Sequence, residues 1–315
     1  MTLRTIPTID LRDAADPDAT GHGAAVDALG EGLQRFGFVI LDQHGVQPEL
    51  VARAYDAFRR FFDLPAEVKA KYSGVEGGAR GYTPFGVEHA KDHPVPDLKE
   101  FWHVGQELDD GHPFRSEYPA NVWPDEVPEL RDVALALYRG IEASAVAMLR
   151  CVAEYFDLPP ETFAGMMRDG NTILRAIHYP PVPADTHPDA VRAAAHEDIN
   201  LVTLLVEATE SGLEILSEDR WMPVRAEPGQ IVADVGDMLA RVTNDVLPAT
   251  THRVVNAPGS GERSRYSMPV FVHPYSDCDL TVMEAFTGSD RPPKYPPITA
   301  GAFLEQRLRE IGLKG

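Results

Sequence analysis

Cysteine is nearly missing from this 315-residue chain: Cys151 and Cys278 are the only two, too few and too far apart for a disulfide framework or a cysteine-based zinc site. No apolar run is long enough to cross a bilayer, so no membrane partner is expected. The opening MTLRTIPTIDLRD also lacks the apolar core and small-residue cleavage site of a secretory signal. These gaps lead us to expect a soluble, cytoplasmic protein. Basic residues are scarce as well: 29 Lys and Arg against 49 Asp and Glu leave a formal charge of −20, which opposes binding to nucleic acid or an anionic membrane. An anionic small molecule stays admissible, because one arginine in a pocket acts locally. What is present is globular in proportion, with 43% hydrophobic and 25% charged residues, and the length suits one elaborate domain.

The N-terminal half reads as mixed. IPTIDL is a short strand; AVDALGEGLQRF, residues 25–36, has helical spacing and stops at Gly37, after which FVILD is a strand. From Pro48 to Leu64 apolar residues recur every three or four positions, the mark of an amphipathic helix. GGARGYTPFGVEHAKDHPVPDLKEFWHVGQE has no helical period and reads as irregular loop with short strands lining something. Helix is expected over about 126–155, with a short one near Pro160. After Asn171 the texture changes to short β-rich runs at roughly ten-residue spacing: TILRAIHYPP, INLVTLLVE, GLEILS, RWMPVRA, QIVADVGD, THRVVNA and RYSMPVFVHP. A helix, AGAFLEQRLREIG, closes the chain. The expected fold is mainly β with a helical layer (α+β), a jelly-roll core buttressed by N-terminal helices. We expect a single catalytic domain over 1–315: an N-terminal region of helices and pocket loops (5–125), supporting helices (126–170), the β-core (171–275) and a C-terminal strand and helix (276–315).

The run AAAHEDINLVTLLVE puts His196 and Asp198 two apart at the mouth of an apolar strand, hence on one face, with Glu197 turned away. An imidazole and a carboxylate on a buried face need compensation. An ion pair or a hydrogen-bonded strand end supplies it, and so does a divalent metal. His252 in THRVVNA, where Val254 and Asn256 continue the alternation, lies 54 residues beyond Asp198. That separation can bring strands of opposite sheets to the same end of a jelly roll. Two histidines and a carboxylate form a set that holds Fe(II) and leaves adjacent positions open. Arg265 and Ser267 in SRYSMPV share a face, where a guanidinium and a hydroxyl can grip a carboxylate, although an arginine at a strand edge can also reach solvent. Tyr179 in HYPP either reaches a ligand with its hydroxyl or simply walls the pocket.

Taken in order, His196-Glu197-Asp198, GLEILSEDRWMPV, PGQIVADVGDMLARVTND, His252-Arg253-Val254 and Arg265-Tyr266-Ser267 resemble the non-haem iron(II), 2-oxoglutarate-dependent oxygenases, in particular the branch that includes isopenicillin N synthase and plant flavonoid and gibberellin oxygenases. IPTIDL, FGFVILDQHGV, RGYTPFGVE, DLKEFWHVG and NVWPDEVPELR extend the likeness over almost the whole chain. The resemblance implies a double-stranded β-helix, iron held by His196, Asp198 and His252, and 2-oxoglutarate reaching from that iron to Arg265 and Ser267, with Tyr179 nearby. It further implies O2 as co-substrate and oxidative decarboxylation coupled to hydroxylation, desaturation or ring closure of a small-molecule metabolite.

Isopenicillin N synthase uses no 2-oxoglutarate yet has a similar Arg-x-Ser pair and Tyr-Pro, so an iron oxidase without the oxoacid is the nearest alternative. A barrel that binds ligand without turnover and a zinc hydrolase are more distant ones. Many plant relatives have an Asn two residues before the tyrosine, where Ile177 stands here. Phe85 and Phe101 are candidate walls of the substrate pocket, in a segment that also holds Glu88 and Trp102. His44 is expected to shape a turn, His178 to face away from Tyr179, and GDMLARVTN to be structural.

Overall fold

A computed structural model describes residues 5–73, 79–87, 98–181, 192–206, 208–255 and 263–310; Glu88 and Asn256 lie outside them. Strand β1 (Thr8–Asp10) leads into the short α1 (Leu11–Ala15) and then α2 (His22–Phe36). Gly37 ends α2 in the left-handed region, φ 64°, donating to Leu33 O. A Cβ at that position would meet Pro248 O at 2.4 Å, so only glycine allows the chain to reverse here into β2 (Phe38–Asp42). Helix α3 (Pro48–Phe62) begins with proline in its first turn and buries Ala54, Phe58 and Phe61, as its spacing requires. The one-turn α4 (Ala66–Lys69) and strands β3 (Gly81–Thr83) and β4 (Glu100–Gly105) follow. Helix α5 (Leu130–Tyr155) starts four residues later than expected, because Pro128 disfavours helix in the residue before it. The short α6 (Glu161–Ala164) completes the layer.

The β-half contains β5 (Ile173–Tyr179), β6 (Ala193–His196), β7 (Val202–Val206), β8 (Leu213–Ser217), β9 (Arg220–Pro223), β10 (Ile231–Val235), β11 (His252–Val254) and β12 (Arg265–Val272). Helix α7 (Asp237–Val242) follows β10, and α8 (Ala300–Glu310) comes last. One sheet runs β1-β2-β10-β7-β12-β5-β4-β3 and the other β6-β11-β8-β9. The eight strands from β5 onward divide between the two sheets in the manner of a double-stranded β-helix, as expected. The larger sheet packs its outer face on the helices: Leu204, Val206, Leu174, Val270 and Trp102 share one core with Phe58, Phe61 and Leu149. Strand alternation sends Thr203, Leu205, Arg265 and Ser267 inward, between the sheets. No helix among the described residues is long and apolar enough to cross a membrane.

The structure corrects two expectations here. The His196–Asp198 stretch is not one continuous strand: β6 stops at His196, Asp198 lies in the following bend, and pairing resumes at Val202. Nor are His196 and His252 on opposite sheets; they face each other across the antiparallel pair β6–β11 of the smaller sheet.

Candidate metal centre and anion pocket

Cross-strand registry is what brings the two histidines together. His252 pairs with His196, and their ring centroids lie 4.4 Å apart. Nδ1 of each ring faces a backbone carbonyl, Ala194 O at 2.7 Å for His196 and Thr250 O at 3.1 Å for His252. A carbonyl can only accept, so each Nδ1 carries the proton and each Nε2 presents its lone pair to the cavity. Asp198 Oδ1 lies 3.7 Å from Nε2 of His196 and 3.8 Å from Nε2 of His252. One ligand atom from each of the three residues fits within 4.8 Å of the others, a spacing compatible with a shared ion. Protein atoms crowded around the half-exposed ring, then the neighbouring His252, hold His196 down to about 4, so it is neutral at pH 7 and free to act as a ligand. Its side chain stays 39% exposed, which leaves the centre open at the cavity mouth.

The other carboxylate oxygen is held in place. Asp198 Oδ2 accepts from Thr203 Oγ1, which in turn accepts from Asn200 Nδ2 at 2.9 Å. Deeper in, Asp234 buries an oxygen that has no hydrogen-bond partner, and burial, then the charge of Asp198, pushes its carboxyl well above the usual range. Two imidazole Nε2 lone pairs and one carboxylate oxygen converging on one point fit Fe(II) as a donor set.

At the far end of the cavity Arg265 is 1% exposed. Its Nε donates to Glu210 O at 3.1 Å, Nη1 donates to Ser267 Oγ at 3.3 Å, and Cζ lies 5.0 Å from the Tyr179 ring centroid. Arg265 and Tyr179 are cross-strand partners. Among the described residues no carboxylate pairs with this guanidinium, and a buried cation without a counter-charge calls for an anion.

The remaining expectations divide. Phe101 is buried against Ile177 and Tyr179, both of which line the cavity. Phe85 does not line the cavity: β3 ends at Thr83, and the turn through Gly86 throws the ring outward, 48% exposed. Trp102 alternates to the helical side. His178 faces away from Tyr179, bonding Glu100 at 2.7 Å and stacking on Tyr266. Glu197 accepts from Thr251 Oγ1, outside the ligand set. His44 does shape its turn, accepting from Val46 N through Nδ1. A cavity of about 470 Å³ under α3, on the opposite face of the larger sheet, contains none of the metal or anion groups. Residues not anticipated from sequence are Thr203, Asn200, Asp234, Lys99, Arg175 and His103. Inward parity on β7 is a signal for Thr203, and Asn200 meets it only three residues away, whereas the others depend on contacts between distant segments.

Comparison with known proteins agrees with this geometry. Residues 6–126 match the family described as non-haem dioxygenase in morphine synthesis N-terminal, and residues 170–274 match the 2OG-Fe(II) oxygenase superfamily. A 2-oxoglutarate-Fe(II) type oxidoreductase, hxnY, of Emericella nidulans is 30% identical over 304 residues, covering 93% of this chain and 86% of that one. A crystal structure of a 2OG-Fe(II) oxygenase family protein from Caulobacter crescentus superposes with a TM-score of 0.88 at 41% identity, covering 98% of this chain and 99% of the other. A full-length Neurospora crassa protein crystallised in complex with alpha-KG and thymine gives 0.85 at 28% identity, with 96% of each chain covered.

Proposed function

The chain belongs to the 2OG-Fe(II) oxygenase superfamily, and from that premise we propose a role for each residue of its cavity. The protein is an Fe(II)- and 2-oxoglutarate-dependent oxygenase of small molecules. In our reading His196, Asp198 and His252 hold the iron, while Arg265 and Ser267 bind the far carboxylate of 2-oxoglutarate against the Tyr179 ring. The observation that carries it is the convergence of three ligand atoms within 4.8 Å in a cavity whose other end holds a buried guanidinium with no carboxylate partner among the described residues.

Bound Fe(II) supplies oxygen activation, coupled to decarboxylation of the oxoacid to succinate and CO2. The chain supplies orientation and exclusion. Carbonyls of Ala194 and Thr250 fix both imidazole tautomers, Thr203 turns Asp198 so that Oδ1 faces the histidines, and apolar neighbours such as Ile177, Leu205 and Phe271 limit water around the reacting centre. Arg265 and Tyr179 set the depth to which the oxoacid enters, because they close the same level of the barrel.

An iron oxidase without the oxoacid is disfavoured by the matches, which include a relative complexed with alpha-KG. The test is succinate release on aerating the Fe(II) protein with 2-oxoglutarate and a metabolite library. We expect 2-oxoglutarate-dependent succinate from the wild type and none from Asp198→Ala, with iron content also lost. Normal iron content and rate in Asp198→Ala would overturn the ligand assignment.

A further inference from the structure

One inward-facing row of the larger sheet looks across the cavity at the histidines. Phe38 on β2 pairs with Asp234 on β10, Asp234 with Thr203 on β7, and Thr203 with Phe271 on β12, and all four line the cavity. Side chains paired in this way on one face lie about 5 Å apart at Cβ. The row belongs to the metal end: the Phe38 ring packs edge-on against His252 with centroids 5.6 Å apart, and Thr203 donates to Asp198. Asp234 sits between these two.

The ligands approach from the other side. His196 and His252 belong to β6 and β11 of the smaller sheet, and Asp198 to the bend that follows β6. An ion held by this set has its protein ligands on one face and its open positions on the other, toward the larger sheet. Of the four side chains in the row, Phe38 and Phe271 are apolar, and the Thr203 hydroxyl is committed to Asp198 and Asn200. That leaves Asp234. It is 4% exposed, and its Oδ2 is buried with no hydrogen-bond partner among the described residues, an oxygen costly to leave without a donor.

Asp234 is not itself a ligand, since the residues whose ligand atoms converge within 4.8 Å are His196, Asp198 and His252. What it needs is a donor, and water bound to a divalent cation is a stronger donor than bulk water because the ion lowers its pKa. A carboxyl group keeps an acceptor lone pair in either protonation state, so the match does not depend on its charge.

We propose that Asp234 is a positioning residue that acts on the metal centre through its water, the carboxyl accepting a hydrogen bond from the water that completes the coordination of the resting ion. The inference rests on the reading of His196, Asp198 and His252 as the ligand set. Neighbours in the row then divide the work: Thr203 orients a ligand that the chain supplies, and Asp234 orients one that solvent supplies.

The experiment titrates the full-length, metal-free protein with Co(II), and with Fe(II) under exclusion of oxygen, without 2-oxoglutarate. Asp234→Ala and Asp234→Leu both remove the acceptor, the second without leaving a void, and should raise the metal Kd on the order of tenfold. Asp234→Asn keeps a carbonyl oxygen in the same place and should recover most of the loss. The visible ligand-field bands of the Co(II)-saturated protein should shift in Asp234→Ala and Asp234→Leu and return close to the wild type in Asp234→Asn. A wild-type Kd or a wild-type spectrum in the two apolar variants, or an Asp234→Asn as impaired as they are, would overturn the proposal. Co(II) binding of wild-type strength in Asp198→Ala would instead defeat the ligand assignment on which it rests.

Discussion

Asp198 has two oxygens with different tasks, and one hydroxyl separates them. Thr203 Oγ1 donates to Oδ2, leaving Oδ1 to face both Nε2 atoms. Replacing Thr203 by Val keeps the shape and removes the donor. Iron affinity should weaken about 10- to 100-fold in an anaerobic Fe(II) titration, with turnover partly recovered at saturating iron. Arg265→Lys should act on the other substrate, replacing a planar fork by a point charge; the KM for 2-oxoglutarate should rise on the order of tenfold or more, with iron content unchanged. The residues of both tests differ in how legible they were. Arg265 and Ser267 follow from two-residue alternation along β12, whereas the His-x-Asp spacing singled out His196 and Asp198 although the strand ends between them. The Thr203 contact needs the bend after β6, which turns the chain back on itself within five residues. Arg175 needs a partner 72 residues away in sequence, and no local pattern announces that.

Strands β4 and β5 are tied together behind the cavity wall by a buried polar cluster. Glu100 accepts from Lys69 Nζ at 2.8 Å, from the Tyr82 hydroxyl and from His178 Nδ1, and His178 reaches Ser264 Oγ at 3.0 Å. Burial alone would raise the Glu100 carboxyl, but the bonds from His178, Lys69 and Tyr82 outweigh it and hold the group below its ordinary value. Each partner comes from a different element: α4, β3 and β5. Glu100→Ala leaves the Lys69 ammonium buried and uncompensated, so urea unfolding should show a loss of about 3 kcal/mol or more. The inner wall is not built from these groups, so the chelate band should survive in the folded fraction. Elements with strong periodicity, such as α3 and β12, were readable directly from sequence. Strand β6 was not, because Ala193, Ala194 and Ala195 have little β-propensity and their pairing comes from β11. Its placement is why the two histidines meet within one sheet.

For the molecule as a whole, the order of short strands after Asn171 made the barrel legible, while the division of those strands between two sheets depended on long-range pairing. Acid stability should bear the imprint of the barrel interior. Burial holds His273 at about 4 against an ordinary value of 6.5, and its Nδ1 has no hydrogen-bond partner. The unfolded chain therefore binds a proton at a pH where the native one does not. Stability from this group is complete above about pH 6.5 and is lost as pH falls toward 4, by up to roughly 3 kcal/mol. The urea midpoint of metal-free protein should fall across that window, and less steeply in His273→Phe. The central claim concerns one cavity holding an iron at one end and an oxoacid carboxylate at the other. Its most direct test is an anaerobic titration of Fe(II) protein with 2-oxoglutarate, following the weak visible charge-transfer band. A saturable band at one equivalent, absent in Asp198→Ala and shifted to higher 2-oxoglutarate concentration in Arg265→Lys, is the predicted result; a wild type with no band, or a band indifferent to both substitutions, would contradict it.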